Sequence, residues 1–181
     1  MIRLKTPLDN KQLSQLKAND FIYISGFIYT ARDAAHKRLI DDIKHNRPLP
    51  FDLNNQILYY VGPSPTPAHL KFGSAGPTTA SRMDPYTPTL LKHGIKAVIA
   101  KGYRSEEVRQ SFYDHQAVYL LAIGGAGALL GNCVVDSKVI AYDDLGTEAI
   151  RRLEVVDFPV IVAYDLQNND AYKIAQQKAV K

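Results

Sequence analysis

Short, strongly apolar segments set between helix-like stretches are the feature that most constrains how this chain can fold. Segments rich in Ile, Val, Leu and Tyr are typical of β-strands, and here they cover residues 20–29, 56–61, 96–100, 117–123, 138–142 and 158–165. Strands that alternate with helices favour an α/β fold with a largely buried sheet. The strand-rich N-terminal half favours a mixed sheet, and Gly26 predicts a β-bulge in the first long strand.

The stretches between these strands carry helix signals. A capping-box-like pattern at Thr30 and Asp33, followed by apolar residues at helical spacing, predicts a helix that ends near residue 45. Residues 124–128 are small and predict a helix or turn that packs closely on the sheet. The polar tail at residues 168–181 is predicted to be peripheral. Further helices are predicted over residues 79–84, 88–92 and 147–153 and from Ser105 onward.

Length and composition limit the number of domains and the classes of protein to which this chain could belong. The 181 residues suit a single domain, for which we predict a core over about residues 15–165. No apolar run is long enough to cross a membrane, and residues 1–9 lack the apolar region of a signal peptide. We therefore expect a cytoplasmic protein. The net charge of +4 is spread along the chain, which favours a slightly basic surface first, an anionic small substrate second and nucleic acid third.

Residues 76–84 (GPTTASRMD) are the strongest candidate for a binding site. Gly76 and the following proline preset a helix start, where free backbone amides and the Thr78 and Thr79 hydroxyls could bind an anion. Arg82 is four residues after Thr78, so both side chains would share one helix face and suit a carboxylate. The alternative is that Thr78 only caps the helix while Arg82 pairs with Asp84 or with solvent, and spacing alone favours this alternative.

Two further basic residues, Lys101 and Arg32, occupy positions that suggest a role in binding. Lys101 follows a buried strand, and ligands of α/β folds collect at such strand ends. Arg32 is predicted in the first turn of a helix, where a cation opposes the helix dipole, which hints at a function. For each of them a plain surface residue is the competing interpretation.

The sequence shows no clear set of metal ligands. Cys133 is its only cysteine and is predicted to be a small core residue. Histidines 45, 69, 93 and 115 show no metal-ligand spacing, and we predict that they lie at the surface. A functional role for His36 stays open. The glycines at 124–127 lack the spacing of a phosphate-binding loop.

Seven short motifs in one order resemble a known family. They are TARDAAHK at residues 30–37, LPFDL at 49–53, YYVGP at 59–63, GPTTASRMD at 76–84, KG at 101–102, LGTEA at 145–149 and EVVDFP at 154–159. The series resembles the C-terminal domain of class I, iron–sulfur-dependent fumarases and the β-subunits of their two-chain forms, over roughly residues 15–165. Ser81 departs from the pattern, since relatives often have Gly there.

The resemblance implies an architecture and a division of labour between chains. It implies a single swivelling β/β/α domain. It also implies a [4Fe-4S] cluster held by three cysteines of an α-part, which a chain with one cysteine cannot supply. We therefore expect an iron–sulfur α-subunit as partner, in an α2β2 assembly; a homodimer is the alternative when the chain occurs alone.

The resemblance also implies residue roles and a reaction. Thr78 matches the catalytic threonine, which needs an activating group from the α-subunit because a threonine hydroxyl is a weak acid. Arg32, Arg82 and Lys101 match the substrate-carboxylate binders, and Gly76 and Thr79 are placed with them at the substrate. The implied reaction is the reversible dehydration of (S)-malate to fumarate. L-(+)-tartrate dehydration is the first alternative, and a non-catalytic small-anion-binding module is the second.

Overall fold

The computed structural model describes residues 2–68 and 71–179. The strands in these residues are β1 (Ile2–Lys5), β2 (Phe21–Thr30), β3 (Ile57–Tyr59), β4 (Ala97–Ala100), β5 (Val118–Leu121), β6 (Val134–Ala141) and β7 (Ile150–Tyr164). The α-helices are α1 (Asn10–Ser14), α2 (Asp33–Lys44), α3 (Thr87–Lys92), α4 (Glu106–Asp114), α5 (Gly127–Asn132) and α6 (Ala171–Ala179). Two 3₁₀ helices cover Ala80–Met83 and Asp143–Glu148.

The seven strands form one sheet that closes on itself. Their order is β1-β2-β3-β4-β5-β7-β6, and an additional antiparallel pairing joins β2 to β7 from Phe21↔Ile161 to Tyr29↔Arg152. The predicted bulge is confirmed, because the register of this pair shifts between Ile24 and Gly26. Gly26 has a φ of +112°, a conformation that glycine adopts readily. The predicted α/β class with a mixed sheet is therefore confirmed.

Four neighbouring strands run parallel and so end at one edge. β2 pairs with β3, β3 with β4 and β4 with β5, each in parallel register. The carboxyl ends of these strands, at Thr30, Tyr59, Ala100 and Leu121, consequently lie side by side. This edge is where side chains that follow the strands are brought together.

The parallel strands β3, β4 and β5 are buried on both faces. Along β4, Ala97 and Ile99 belong to one apolar cluster and Val98 and Ala100 to another, as the strand period of two requires. The first cluster also holds Leu4, Leu8 and Leu13, so the packed core reaches N-terminal to residue 15. The second cluster combines the opposite strand face with α2, α3 and α4.

One predicted element near the C-terminus was wrong. Residues 147–153 do not form the predicted helix, because β7 begins at Ile150 and runs unbroken through the predicted strand at 158–165. Along this strand, exposed Glu154 stands between buried Leu153 and Val155, as the strand period of two requires. β7 pairs with β2 on one side and with β6 on the other.

The start of α2 also differs from the prediction. Thr30 is the last residue of β2 and forms no capping box: its buried hydroxyl donates to the Ala149 carbonyl at 3.3 Å and accepts from the Arg151 amide at 3.0 Å. Arg32 is the N-cap of α2 and contributes no side-chain cap hydrogen bond. Neither β1 nor α1 was predicted. Asp9 and Gln12 form a capping box at the start of α1.

Arg104, just beyond β4, is a fully buried cation. Its Nε donates to Asp84 Oδ1 at 2.6 Å and its Nη2 donates to Thr87 Oγ1 at 2.6 Å. Its guanidinium also lies 5.5 Å from the ring centre of Tyr60 and 5.3 Å from that of Tyr119. Asp84 therefore neutralises a buried charge and ties the 3₁₀ helix Ala80–Met83 to the segment that enters α4.

We predict that Asp84→Ala destabilises the fold by about 3–5 kcal/mol, because it leaves the Arg104 charge buried without a counter-charge. Urea unfolding followed by circular dichroism measures this loss. Asp144→Ala is the matched control: it breaks an exposed pair with Arg38, which solvent screens, and should change the free energy of unfolding far less. Equal losses in the two variants would contradict the structural role given to Asp84.

Candidate functional site

The candidate residues follow the carboxyl ends of the parallel strands. Arg32 lies two residues beyond β2, Gly62 three beyond β3, Lys101 directly after β4 and Gly124 three beyond β5. A Cβ placed on Gly62 would stand 2.9 Å from Arg32 Cδ, and one on Gly124 would stand 3.7 Å from Lys101 Cδ. The parallel register thus brings segments that are distant in sequence to a single edge.

Arg32 carries a buried and unpartnered nitrogen. Its Nε is inaccessible to solvent and donates to no acceptor among the described residues. The nearest carboxylate oxygens are Glu148 Oε1, 3.8 Å from Nε, and Asp33 Oδ2, 3.7 Å from Nη2. Both distances are too long for hydrogen bonds. Because burying a donor without a partner is costly, this guanidinium is available to an acceptor that the chain itself does not supply.

Arg82 pairs with Asp33, 49 residues away in sequence. Its Nε donates to Asp33 Oδ1 and its Nη2 to Asp33 Oδ2, both at 3.0 Å, which is a bidentate pair. The competing prediction of a pair with Asp84 was wrong, because Asp84 is engaged by Arg104. Asp33 thereby links Arg82 to the Arg32 end of the site.

Thr78 and Thr79 lie beside Lys101. The Lys101 amide donates to the Thr78 carbonyl at 3.2 Å, and the Ala80 amide donates to the Lys101 carbonyl at 2.8 Å. These bonds form a parallel bridge between Thr79 and Lys101. The strand edge therefore holds the threonines and the lysine together through backbone atoms.

Two details of the predicted anion site were wrong. Thr78 does not share a helix face with Arg82, because it precedes the 3₁₀ helix Ala80–Met83. The amides of Thr78 and Ala80 are not free either, since the first donates to the Tyr60 carbonyl at 2.7 Å and the second to Lys101. The Thr78 hydroxyl is the group left available: it forms no hydrogen bond in the part of the chain that the structure describes.

Gly76 is held by backbone packing against α5. The Ala75 amide donates to the Gly127 carbonyl at 2.9 Å, and a Cβ on Gly127 would approach the Gly76 nitrogen to 3.1 Å. A Cβ on Gly131, one turn later, would stand 2.5 Å from the Gly73 carbonyl oxygen. The small residues that follow β5 thus pack closely, and they fix one wall of the site.

The residues present do not fit an iron–sulfur cluster. Cys133 is half-buried and its thiol faces the carbonyls of Leu129 and Asp157, while burial raises the pKa of the thiol. The described residues contain no group of three or more His, Cys, Asp and Glu side chains that could hold a metal ion. Of the four histidines predicted to lie at the surface, His45 and His93 are exposed and His115 is partly exposed, while His69 lies outside the described residues.

Three contributors to this edge were missed by sequence reasoning. They are Asp33, which the sequence offers only as part of a capping-box-like pattern, and Gly62 and Glu148, which it offers only as members of the motifs YYVGP and LGTEA. Glu148 Oε1 lies 3.4 Å from the Ala34 amide, at the start of α2. His36 was left open, and it is fully buried against Tyr60 with Nδ1 2.8 Å from the Arg32 carbonyl.

A family model described as Fumarase C-terminus matches residues 1–175. The chain belongs to this family. Among relatives, it is 42% identical to the "Putative L(+)-tartrate dehydratase subunit beta" of Methanocaldococcus jannaschii, over 94% of this chain and 91% of that protein. It is 39% identical to the anaerobic class I fumarate hydratase of Escherichia coli and 37% identical to fumarate hydratase 2 of Leishmania major.

The matches to fumarate hydratases differ in coverage from the match to the archaeal protein. This member of the Fumarase C-terminus family aligns over 90% of its length with the Escherichia coli enzyme and over 94% with the Leishmania enzyme. It spans only about a third of those proteins, 30% and 31% respectively. The relatives are hydro-lyases by name.

No helix in the described residues is both long and apolar enough to cross a membrane.

The buried His36 predicts a pH dependence of stability. Desolvation lowers its pKa to about 4 from an ordinary value of 6.5. Between these values the unfolded chain binds a proton that the folded chain excludes, so the stabilisation is complete above pH 6.5 and is lost as the pH falls towards 4. The loss amounts to roughly 3 kcal/mol.

The variant His36→Asn isolates this effect, because its amide can still donate to the Arg32 carbonyl but does not titrate. We expect urea unfolding between pH 7 and pH 4.5 to show a shallower fall in stability for the variant than for the native chain. Parallel curves for the two proteins would mean that His36 is not the group responsible.

Proposed function

We propose that this chain is the β-type part of a hydro-lyase that interconverts (S)-malate and fumarate plus water. In this proposal it binds the dicarboxylate and moves the C3 proton. A separate α-subunit, in an α2β2 assembly, carries the [4Fe-4S] cluster for which this chain lacks ligands. The observation that carries the proposal is that Asp33 holds Arg82 beside Arg32, whose Nε is buried and unpartnered among the described residues, at the sheet edge where Lys101 follows β4.

The charges at this edge suit a dianion. Arg32 and Arg82 face two carboxylates, Asp33 and Glu148, and Lys101 follows β4 at the same edge of the sheet, so the edge carries one positive charge more than its acids neutralise. Lys101 forms no ion pair with any described residue. A dicarboxylate could therefore pair with the free Lys101 ammonium and with the open sides of the two guanidinium groups.

Thr78 is the proposed proton carrier. Its hydroxyl is half-buried, free of hydrogen bonds to described residues and held next to Lys101 by the backbone. In the forward direction its oxygen, after giving its own proton to an activating base, would take the C3 proton of malate. The C3 electron pair would shift towards the neighbouring carboxylate and then return to form the C2–C3 double bond as the C2 hydroxyl leaves. Cations at that carboxylate stabilise the charge as it grows, which is where catalysis gains most. An activating base for Thr78 would have to come from the partner.

A second candidate is the dehydration of L-(+)-tartrate. It is favoured by the alignment with the archaeal tartrate dehydratase β-subunit, which covers nearly the full length of both chains. Both substrates are dicarboxylates with a hydroxyl at C2, so the same three cations would serve either. The part of the site that touches the C3 substituent would decide between them.

The first test measures turnover in the assembled protein. We expect the chain alone to be inactive, and its complex with a co-expressed iron–sulfur α-chain, assayed without oxygen, to convert malate to fumarate. Tartrate is tested in parallel by the formation of oxaloacetate. Faster turnover of tartrate would select the second candidate, and no turnover of either substrate would overturn the proposed function.

Arg82→Ala should lower kcat/KM of that complex by about 100- to 1,000-fold, the loss expected when a charged group at the reacting carboxylates is removed. Circular dichroism should show the variant folded, because Arg82 is half-exposed. Arg38→Ala is the matched control, since it removes an arginine of similar exposure from an Arg–Asp pair on the outer side of α2. Near-native kcat/KM in Arg82→Ala would exclude Arg82 from the site.

Thr78→Ala should lower kcat by about 100- to 10,000-fold, the range for loss of a proton-transfer group, while KM changes less. Thr78→Ser keeps the hydroxyl and should recover much of the activity. A rise in KM with an unchanged kcat would instead make Thr78 a substrate binder.

A further inference from the structure

The carboxylate of Asp33 lies between the two arginines of the proposed site. Asp33 is the first residue of α2, and its two oxygens both accept from Arg82, at 3.0 Å each. One of these oxygens, Oδ2, is also 3.7 Å from Arg32 Nη2. A single acid therefore faces two guanidinium groups that come from different segments of the chain.

The contact leaves a defined part of Arg82 open. A guanidinium offers two forks to a carboxylate: a side fork made by Nε and one Nη, and an end fork made by Nη1 and Nη2. Asp33 occupies the side fork. Nη1 forms no hydrogen bond to any described residue, and about half of the Arg82 side chain is exposed. The end fork is therefore available to a ligand carboxylate.

Arg32, unlike Arg82, receives no hydrogen bond acceptor from Asp33. At 3.7 Å, Asp33 is too far from Arg32 to accept a hydrogen bond, although it is close enough to offset the charge. Glu148 lies at a similar distance, 3.8 Å, on the other side. The two acids thus reduce the repulsion between the arginines without occupying the Arg32 donors, which stay open.

We infer that Asp33 is a positioning residue of the dicarboxylate site. It fixes the Arg82 side fork so that the end fork faces the substrate, and it allows Arg82 and Arg32 to approach the same dianion. The inference rests on the proposed function. Two other roles would give different results: an acid that serves only the start of α2, or a carboxylate that competes with substrate for Arg82.

The first measurement needs no turnover. In ¹H–¹⁵N spectra of the chain, the Arg82 Nε–H signal should be shifted and slow to exchange because of its bond to Asp33. We expect this signature to disappear in Asp33→Asn and to survive in Asp144→Asn, which disrupts the equivalent Arg38–Asp144 pair instead. An unchanged Arg82 signal in Asp33→Asn would overturn the inference.

The second measurement uses the complex with the cluster-bearing α-chain. Asp33→Asn should raise KM for the dicarboxylate by about 10-fold or more, the loss of roughly one charge-assisted hydrogen bond, and should change kcat less. Asp33→Glu restores the charge and should recover part of the affinity, whereas Asp144→Asn should leave KM unchanged. A lower KM in Asp33→Asn would identify a competitor of substrate, and an unchanged KM would identify a helix-start acid; either result overturns the inference.

The two measurements separate this inference from the proposed function. A native complex that turns over neither malate nor tartrate would overturn the function, and the spectra alone would then decide whether Asp33 positions Arg82. A working native complex with an unchanged KM in Asp33→Asn would keep the function and remove Asp33 from it.

Discussion

Antiparallel pairing of β2 with β7 is the interaction on which the rest of the structure depends. It joins the two longest strands, of 10 and 15 residues, and converts an open sheet into a closed one. Closure brings residues from one face of β2, β3, β4, β5 and β7 into a single apolar cluster, while α2, α3 and α4 cover the other face of the parallel strands. It also fixes where β2 ends, and therefore where Arg32 and Asp33 stand relative to the ends of β3 and β4.

The sequence was sufficient for the elements whose apolar period is clear. The strands at β2, β3, β4 and β5 and the Ser105 cap of α4 follow from local residues alone. It was insufficient for β7, whose charged residues 151, 152 and 154 have the spacing of a helix surface as well as that of a strand. Only pairing with β2 and β6 decides between a helix and a strand here, and such long-range pairing cannot be inferred from a short stretch of sequence. β1 is missed for the same reason, since four residues acquire their conformation from β2.

For the site, the sequence could predict the residues but not their partners. Arg32, Arg82, Lys101 and Thr78 were chosen from motifs and strand ends, and the fold brings their segments to one edge. Two aspartates of the motifs, Asp33 and Asp84, could not be separated in advance, because each stands within two residues of an arginine in sequence. The structure gives them different tasks: Asp84 neutralises the buried Arg104, and Asp33 holds the half-exposed Arg82. Burial decides this, and burial is a property of the whole fold.

The backbone contact between α5 and the segment before Thr78 has a consequence for how the family can diversify. Gly131 leaves no room for a methyl group against the Gly73 carbonyl, and a Cβ on Gly127 would crowd the Ser74 hydroxyl and the Gly76 backbone. Exchange of side chains cannot remodel this wall gradually, because a first step at Gly131 already displaces main chain. Substitutions that alter specificity are therefore expected at positions where side chains face open space, since those positions change without moving the backbone.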